Sequence, residues 1–412
     1  MITAKFKDSP LGPIPQDWEV KRLGEIAPLQ RGFDLPTSLL CKGEYPVVYS
    51  NGICNYHNEA MCNAPGLITG RSGTIGKFTF IATGKYWPHN TTLWVTNFNG
   101  NDPQFIYWMY SFIGFERFAT GSGVPTLNRN AIHEYWAACP PLPEQRRIAE
   151  ALGKMDRLIE LLDAQIVKKR RIAQGLAHDL LGMRNEECGM RNKPIRRLPG
   201  FKGEWVKKRL GDIGKFYGGL SGKTASDFGK GNAHYITFLN VLNNTIIDDT
   251  EVGVVDIRNG EKQNQVKKGD LFFNVSSETV EEVAMCSALL TDMPDTYLNS
   301  FCCGFRLTDA ENDPLFISYF FNGEQGRETV KGFANGITRY NMSKKAFYDA
   351  VVCWPSLAEQ RAIAEVLAAA DAEIAALETK RQKYIRIKDG VMRNLLSGRV
   401  RVNAECGMGN EE

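Results

Sequence analysis

Two glycine-bearing loops in the first half of the chain carry side chains suited to reading polar edges. GRSGTIGK, Gly70 to Lys77, offers Arg71 and Lys77 on backbone that glycine leaves free to approach a ligand. GSGVPTLNRN, Gly121 to Asn130, offers Thr126, Asn128, Arg129 and Asn130. Arginine matches a guanine edge and asparagine an adenine edge in bidentate fashion, and each good pair discriminates against the wrong base by about 1 to 3 kcal/mol. The second half has corresponding loops with Asn274, Ser276 and Ser277, then Thr338, Arg339, Tyr340, Asn341 and Lys344. Taken singly, a residue of this kind in a polar loop is more often plain surface than a base reader.

No catalytic constellation accompanies these loops. GGLSGKT, Gly218 to Thr224, resembles a phosphate loop, but a P-loop needs a glycine five residues before Gly222, and Tyr217 stands there. GxGxxG, HExxH and GxSxG are absent, and Cys139 to Pro143 (CPPLP) is not the Asn/Asp-Pro-Pro-Tyr/Phe motif of amino-methylating enzymes. Cys54, His57 and Cys62 come nearest to a metal cluster but lack a clear fourth ligand, so they read as ordinary thiols and a loop histidine. The chain has 10 cysteines and no CxxC, and its N-terminus, MITAKFKDSPLGPIPQDW, has no apolar run of signal-peptide length. Reduced thiols, no membrane span and a cytoplasmic location are therefore expected.

Charge permits nucleic-acid binding without demanding it. The net charge is only +3 over 412 residues, with 43% hydrophobic and 24% charged residues, the balance of folded domains rather than of a polycation. Local basic runs occur at Lys168 to Arg171, Lys193 to Arg197, Lys207 to Arg209 and Lys380 to Lys388, and such runs are more often solvated faces than binding sites.

The elements that must position the loops occur twice. LPEQRRIAEALGKMDRLIE from Leu142 answers LAEQRAIAEVLAAADAEIA from Leu357, and RIAQGLAHDLLGMR from Arg171 answers RIKDGVMRNLLSGR from Arg386. Upstream, WEVKRLGEI from Trp18 answers WVKKRLGDI from Trp205, and Asp102-Pro103 answers Asp313-Pro314. The offset between copies widens along the chain, as a tandem duplication with insertions requires, and a duplicated reader suits a bipartite target.

Each repeat ends in a heptad seam. Ile148, Leu152, Met155, Ile159, Leu162, Ile166, Lys169, Ala173, Leu176 and Leu180 alternate spacings of four and three, and so do Ile363, Leu367, Ala370, Ile374, Leu377, Arg381, Tyr384, Lys388, Val391 and Leu395. A helix of about 38 residues is a rod of roughly 57 Å, longer than one turn of duplex DNA at about 34 Å. Two such rods most simply bury their seams against each other; the plainer alternative is that each packs on its own domain. The polar seam positions around Lys169, Arg381 and Tyr384 set register or mark where the rods diverge.

The expected fold is α/β (α+β): two similar domains joined by two long helices in an antiparallel coiled coil, a pseudo-twofold internal duplication. The boundaries expected are a first recognition domain at 1–143, a central helix at 144–182, a linker at 183–199, a second recognition domain at 200–357, a distal helix at 358–398 and a tail at 399–412. Both domains are rich in short β-like runs broken by glycine and asparagine, such as YPVVYS, KFTFIA and DLFFNVSS.

With PPLPEQRRIAEAL and its echo WPSLAEQRAIAEVL, the openers WEVKRLGEI and WVKKRLGDI, and the loops GRSGTIG and VPTLNRN, the chain resembles the specificity subunit of type I restriction-modification systems. The resemblance spans nearly all of it up to Val400. It implies two target-recognition domains, each reading one half of a split, asymmetric DNA site, and a coiled coil that sets the spacing between halves. It implies no catalysis on this chain. The partners implied are double-stranded DNA, two methylation subunits using S-adenosylmethionine and flipping out adenine, and two restriction subunits using ATP and magnesium. Glu144 to Leu181 and Glu359 to Ser397 would be spacer and docking surface. The second copy departs from the pattern where FNVSSETV stands for GRSGTIG, which weakens the carry-over to Asn274, Ser276 and Ser277. The competing readings are a free-standing DNA-modifying enzyme, which would need a cofactor or metal motif, and a coiled-coil adaptor without a DNA role.

Overall fold

The computed structural model describes residues 5–121, 123–182, 194–332, 334–336 and 339–402; residues 183–193 of the expected linker and 403–412 of the tail lie outside them. By contact the chain divides into unit 1, Met1–Ala164 with Glu378–Glu412, and unit 2, Gln165–Leu377. Each unit therefore holds one domain, the first part of the helix that follows it, and the last part of the other helix.

In unit 1, Glu19–Arg22 pairs antiparallel with Trp136–Cys139, which brings the WEVKR opener beside the strand that leads into the first long helix. One four-stranded sheet orders Gly52–His57, Tyr45–Tyr49, Lys85–Pro88 and Cys62–Asn63, with Val47 opposite Trp87 in a parallel pair. A second orders Leu29–Arg31, Thr92–Val95, Gly66–Gly70 and Phe78–Ile81. Helix Pro103–Ile113 begins where its sequence dictates: the Asp102 carboxylate accepts the amides of Gln104 and Phe105, proline supplies a fixed φ, and Gly114 at φ 69 ends it. Phe105, Ile106, Met109 and Tyr110 share the core with Trp18, Leu23, Ile26 and Leu93.

Unit 2 repeats the plan. Val206–Arg209 pairs with Val351–Trp354, and a four-stranded sheet orders Gly214–Gly218, Cys302–Leu307, Leu271–Asn274 and Cys286–Ala288. Phe228–Ile236 lies between Val252–Val255 and Thr296–Leu298, parallel to the latter. Asp313 caps helix Pro314–Asn322 as Asp102 caps its counterpart. Phe216, Phe273, Phe305 and Phe347 pack edge to face, the arrangement that ring quadrupoles favour.

The duplicated EQ dipeptide joins helix to domain in the same way twice. Gln145 Oε1 accepts the Asp102 amide at 2.9 Å while its Nε2 donates to the Pro140 carbonyl at 2.9 Å. Gln360 does the same with Asp313 and Pro355, again at 2.9 Å each. Both glutamates are buried at their helix starts, and each meets an arginine from the segment after the other long helix, Glu144 with Arg401 and Glu359 with Arg197.

The long helices run Leu142–Leu181 and Leu357–Leu396. In unit 1 they pair antiparallel: Arg381 bonds Asp163 and, one heptad on, Lys388 bonds Asp156 one heptad back. Ile148 and Leu152 share their core with Leu395 and Leu396, each fully buried aliphatic side chain contributing about 1.5 to 3 kcal/mol. In unit 2, Lys169 meets Glu373 at 2.7 Å, and Leu180 shares a core with Ile363 and Leu367. The seam residues Met155, Ile159, Leu162, Ile166, Ile374, Leu377 and Tyr384 are all buried or half-buried. The polar seam positions thus do not mark a divergence of the rods. Lys169, Arg381 and Lys388 each find a carboxylate on the facing helix, which specifies register.

Candidate nucleic-acid interface

The two loops singled out in unit 1 are hydrogen-bonded to each other. The Leu127 amide donates to the Arg71 carbonyl at 2.7 Å, the Gly73 amide to the Pro125 carbonyl at 3.2 Å, and Ser72 bridges Thr126. A third segment completes the junction, because the Arg71 amide donates to the Thr91 carbonyl at 2.8 Å. Glycine is needed here: Gly76 has φ +80, and a Cβ on it would collide with the Glu116 carboxylate.

Within this junction Arg71 is fixed along its backbone, yet its half-buried side chain has a buried Nε with no hydrogen-bond partner. Lys77 is exposed and donates to the Asn51 carbonyl at 2.9 Å. Thr126, Arg129 and Asn130 are exposed, the last two in the first turn of helix Arg129–His133. Asn128 caps that helix, its Oδ1 accepting the Asn130 amide at 3.0 Å, which leaves its amide nitrogen and one Oδ1 lone pair for an outside partner.

Unit 2 builds the same junction from different side chains. The Met342 amide donates to the Val275 carbonyl at 3.0 Å, the Val275 amide to the Phe301 carbonyl at 3.1 Å, and Ser276 pairs with Asn341. Val275 therefore stands where Arg71 stands, Ser276 where Ser72 does, Asn341 where Thr126 does, and Phe301 where Thr91 does. Ser343 caps helix Lys344–Asp349 as Asn128 caps its counterpart, which sets Lys344 at the place of Arg129.

The placement of Asn274 differs from the sequence reading. It stands where Gly70 does, is 0% exposed, and holds the following loop together: Nδ2 donates to the Glu282 carbonyl at 2.8 Å and Oδ1 accepts the Met285 amide at 2.7 Å. An amide engaged at both ends inside the fold is a scaffold, not a base reader. Ser277 is buried and donates to Glu282 at 2.9 Å, while Ser276 is half-buried. Arg339 and Asn341 are exposed, Tyr340 is half-buried, and the exposed Lys344 places its ammonium 5.6 Å from the centre of the Phe216 ring. Thr338 lies outside the described residues. Sequence reasoning missed Thr91 and Phe301, which precede strands in polar stretches (HNTT, NSFC) that no motif distinguishes.

Part of each basic run is committed within the fold. Lys169, Arg197, Arg209, Arg381 and Lys388 all pair with carboxylates. The GGLSGKT lysine is committed too: Lys223 Nζ donates to the Asp256 carbonyl at 2.7 Å and to Glu261 at 2.5 Å. That bond, with those from Gln263 and the Arg258 amide, holds the Glu261 carboxyl down at about 2. A lysine engaged in this way does not cradle a phosphate.

Comparison with known proteins agrees with the duplication. The family model of the type I restriction modification DNA specificity domain matches residues 15–169 and again 202–386. The type I restriction enzyme MjaVIII specificity subunit of Methanocaldococcus jannaschii is 21% identical over 419 residues, covering 94% of each chain. The MjaIX specificity subunit of the same organism is 26% identical over 244 residues, 52% of this chain and 56% of that one. Among solved structures, the S subunit of a type I restriction-modification system from M. genitalium superposes with a TM-score of 0.58 at 16% identity, covering 96% of this chain and 99% of that one. A chain from a type I R-M system solved to explain its complex assembly and conformational transition gives a TM-score of 0.55 at 15% identity over 94% and 99%. Two matched copies take in most of the sequence and coincide with the two junctions, so this protein belongs to the type I restriction modification DNA specificity domain family.

Proposed function

We propose that this chain is the sequence-reading subunit of a type I restriction-modification complex, each unit reading one half of a bipartite, asymmetric DNA site. The observation that carries the reading is the pair of junctions, alike in backbone and unlike in side chains. A shared scaffold presents each set of loops in a similar way, and unlike side chains call for unlike half-sites. The base-contacting candidates are Arg71, Lys77, Thr126, Asn128, Arg129 and Asn130 in unit 1, and Ser276, Arg339, Tyr340, Asn341 and Lys344 in unit 2.

The paired helices are the spacer between half-sites and the docking surface for two methylation subunits, with two restriction subunits joining for cleavage. Adenine methylation with S-adenosylmethionine, and ATP- and magnesium-dependent cleavage, belong to those partners, and this chain contributes recognition without catalysis. The test is methylation-sensitive long-read sequencing of DNA from cells carrying the chain with its methylation subunits. A split motif is expected, and inserting four residues beside Lys169 should alter the number of unread bases between its halves. A continuous motif, or one whose spacing ignores the insertion, overturns the reading.

A further inference from the structure

The matched junctions carry an apolar side chain in unit 2 at two places where unit 1 carries a polar one. In unit 1, Val48 accepts from His89, Arg71 donates to Thr91, and Leu127 donates to Arg71; in unit 2, Ile236 accepts from Asn299, Val275 donates to Phe301, and Met342 donates to Val275, all through backbone atoms. The parallel strand pairs agree with this alignment, Val48 opposite Pro88 and Ile236 opposite Leu298. At equivalent places unit 1 carries Arg71 and Thr91 where unit 2 carries Val275 and Phe301. At these two places a polar side chain is replaced by an apolar one on the same backbone frame.

One of the two replacements faces solvent: Phe301 is 61% exposed, and its carbonyl accepts the amide of Val275, next to the Ser276–Asn341 pair, so it belongs to the junction proposed to meet DNA. The backbone bond at this place does not call for a phenyl ring, since Thr91 makes the same bond in unit 1.

On the DNA-recognition reading given above, we infer that Phe301 is a specificity-determining residue of unit 2 that recognises the C5 methyl group of a thymine in the major groove. That methyl is the one apolar feature of the base edges there, and phenylalanine is among the side chains that contact it. Thr91 stands at the equivalent place of unit 1 and offers a hydroxyl where unit 2 offers a ring, so the half-site read by unit 2 contains an A·T pair whose methyl is sensed.

The experiment removes the methyl from the DNA and the ring from the protein. The full-length chain, assembled with its methylation subunits, is titrated against duplexes carrying its motif, with each thymine in turn replaced by deoxyuridine. For the unaltered complex, one substitution in one half-site should weaken binding by on the order of three- to tenfold. In Phe301→Ala that thymine and deoxyuridine should bind alike, with the other half-site discriminated as before. Phe301→Leu keeps an apolar group and should retain a reduced methyl effect, which preserves the comparison should the alanine variant assemble poorly. The inference is overturned if no thymine is methyl-sensitive, or if Phe301→Ala loses affinity equally for thymine and deoxyuridine duplexes while the motif is still recognised. Absence of any sequence preference in the unaltered complex would instead remove the DNA-recognition reading on which it rests.

Discussion

Arg401, five residues beyond the last long helix, holds both carboxylate oxygens of Glu144 at the start of the first, with Nε to Oε1 at 2.5 Å and Nη2 to Oε2 at 2.6 Å. The same guanidinium reaches Asp17 at 2.9 and 2.7 Å, and Trp18 Nε1 donates to Glu144 at 2.9 Å. Unit 2 has the equivalent bond, Arg197 to Glu359 at 2.8 and 2.6 Å, while Trp205 Nε1 has no partner among the described residues. The segment after each helix therefore closes on the helix start within its own unit.

Removing the arginine leaves a buried carboxylate at each site. Arg401→Ala should destabilise unit 1 by about 2 to 4 kcal/mol, and Arg197→Ala unit 2 by a similar amount. Denaturant unfolding gives the size, and hydrogen exchange should locate the loss in residues 14–27 and 142–152 for Arg401→Ala. Unchanged protection there would remove the structural role assigned to the clamp.

Asp17 provides a pH signature. The Arg401 hydrogen bond lowers its carboxyl below the ordinary 3.8, so its contribution is present above that value and lost as pH falls through the lower folded-state value. The carboxylate is half exposed, which limits its worth to about 0.5 kcal/mol. Asp17→Asn should cost that much at pH 7 and progressively less as the pH falls below 3.8, as read from the difference between urea midpoints.

The glutamines of the duplicated EQ pair are brackets between domain and helix. Gln145→Ala would orphan the Asp102 amide and the Pro140 carbonyl, at about 1 to 3 kcal/mol, and Gln360→Ala should match it in unit 2. Gln→Glu keeps the acceptor but sets a buried carboxylate oxygen against the Pro140 or Pro355 carbonyl. Thermal melts at pH 7 should rank wild type first and the Glu variants no higher than the Ala variants.

Scaffold and reading roles should separate in unit 2. Asn274→Ala breaks bonds to Glu282 and Met285 inside the protein, so a stability loss of about 1 to 3 kcal/mol is expected with the methylated motif unchanged. Asn341→Ala, on an exposed side chain, should leave stability alone and relax one half-site. Motif sequencing beside a melting curve distinguishes the two.

For unit 1, Asn128→Ala confounds reading with capping, since the cap itself is worth about 1 kcal/mol. Asn128→Asp keeps the cap and removes the amide donor. Combined with Arg129→Ala it should relax one half-site without a change in the melting midpoint. Equal weakening on all sequences would point to phosphate contact instead.

Local chemistry wrote much of this molecule into its sequence. The heptad spacing from Ile148 to Leu180 fixed the paired helices, because apolar residues at that period can be buried only along one stripe. Asp-Pro set the starts of the helices at Pro103 and Pro314, and the repeated EQ marked the joins. The duplication was legible for the same reason, since residues that cap, staple or fill a core recur wherever the core recurs. The reading surface was not legible. Arg71, Thr91 and Thr126, like Val275, Phe301 and Asn341, are brought together by backbone bonds between segments far apart in the chain, and no spacing rule connects them. Asn274 shows the same gap from the other side. Its side chain suits a base edge as well as a buried turn, and only the packing around it, which gives its amide two partners and no solvent exposure, decided that it is scaffold.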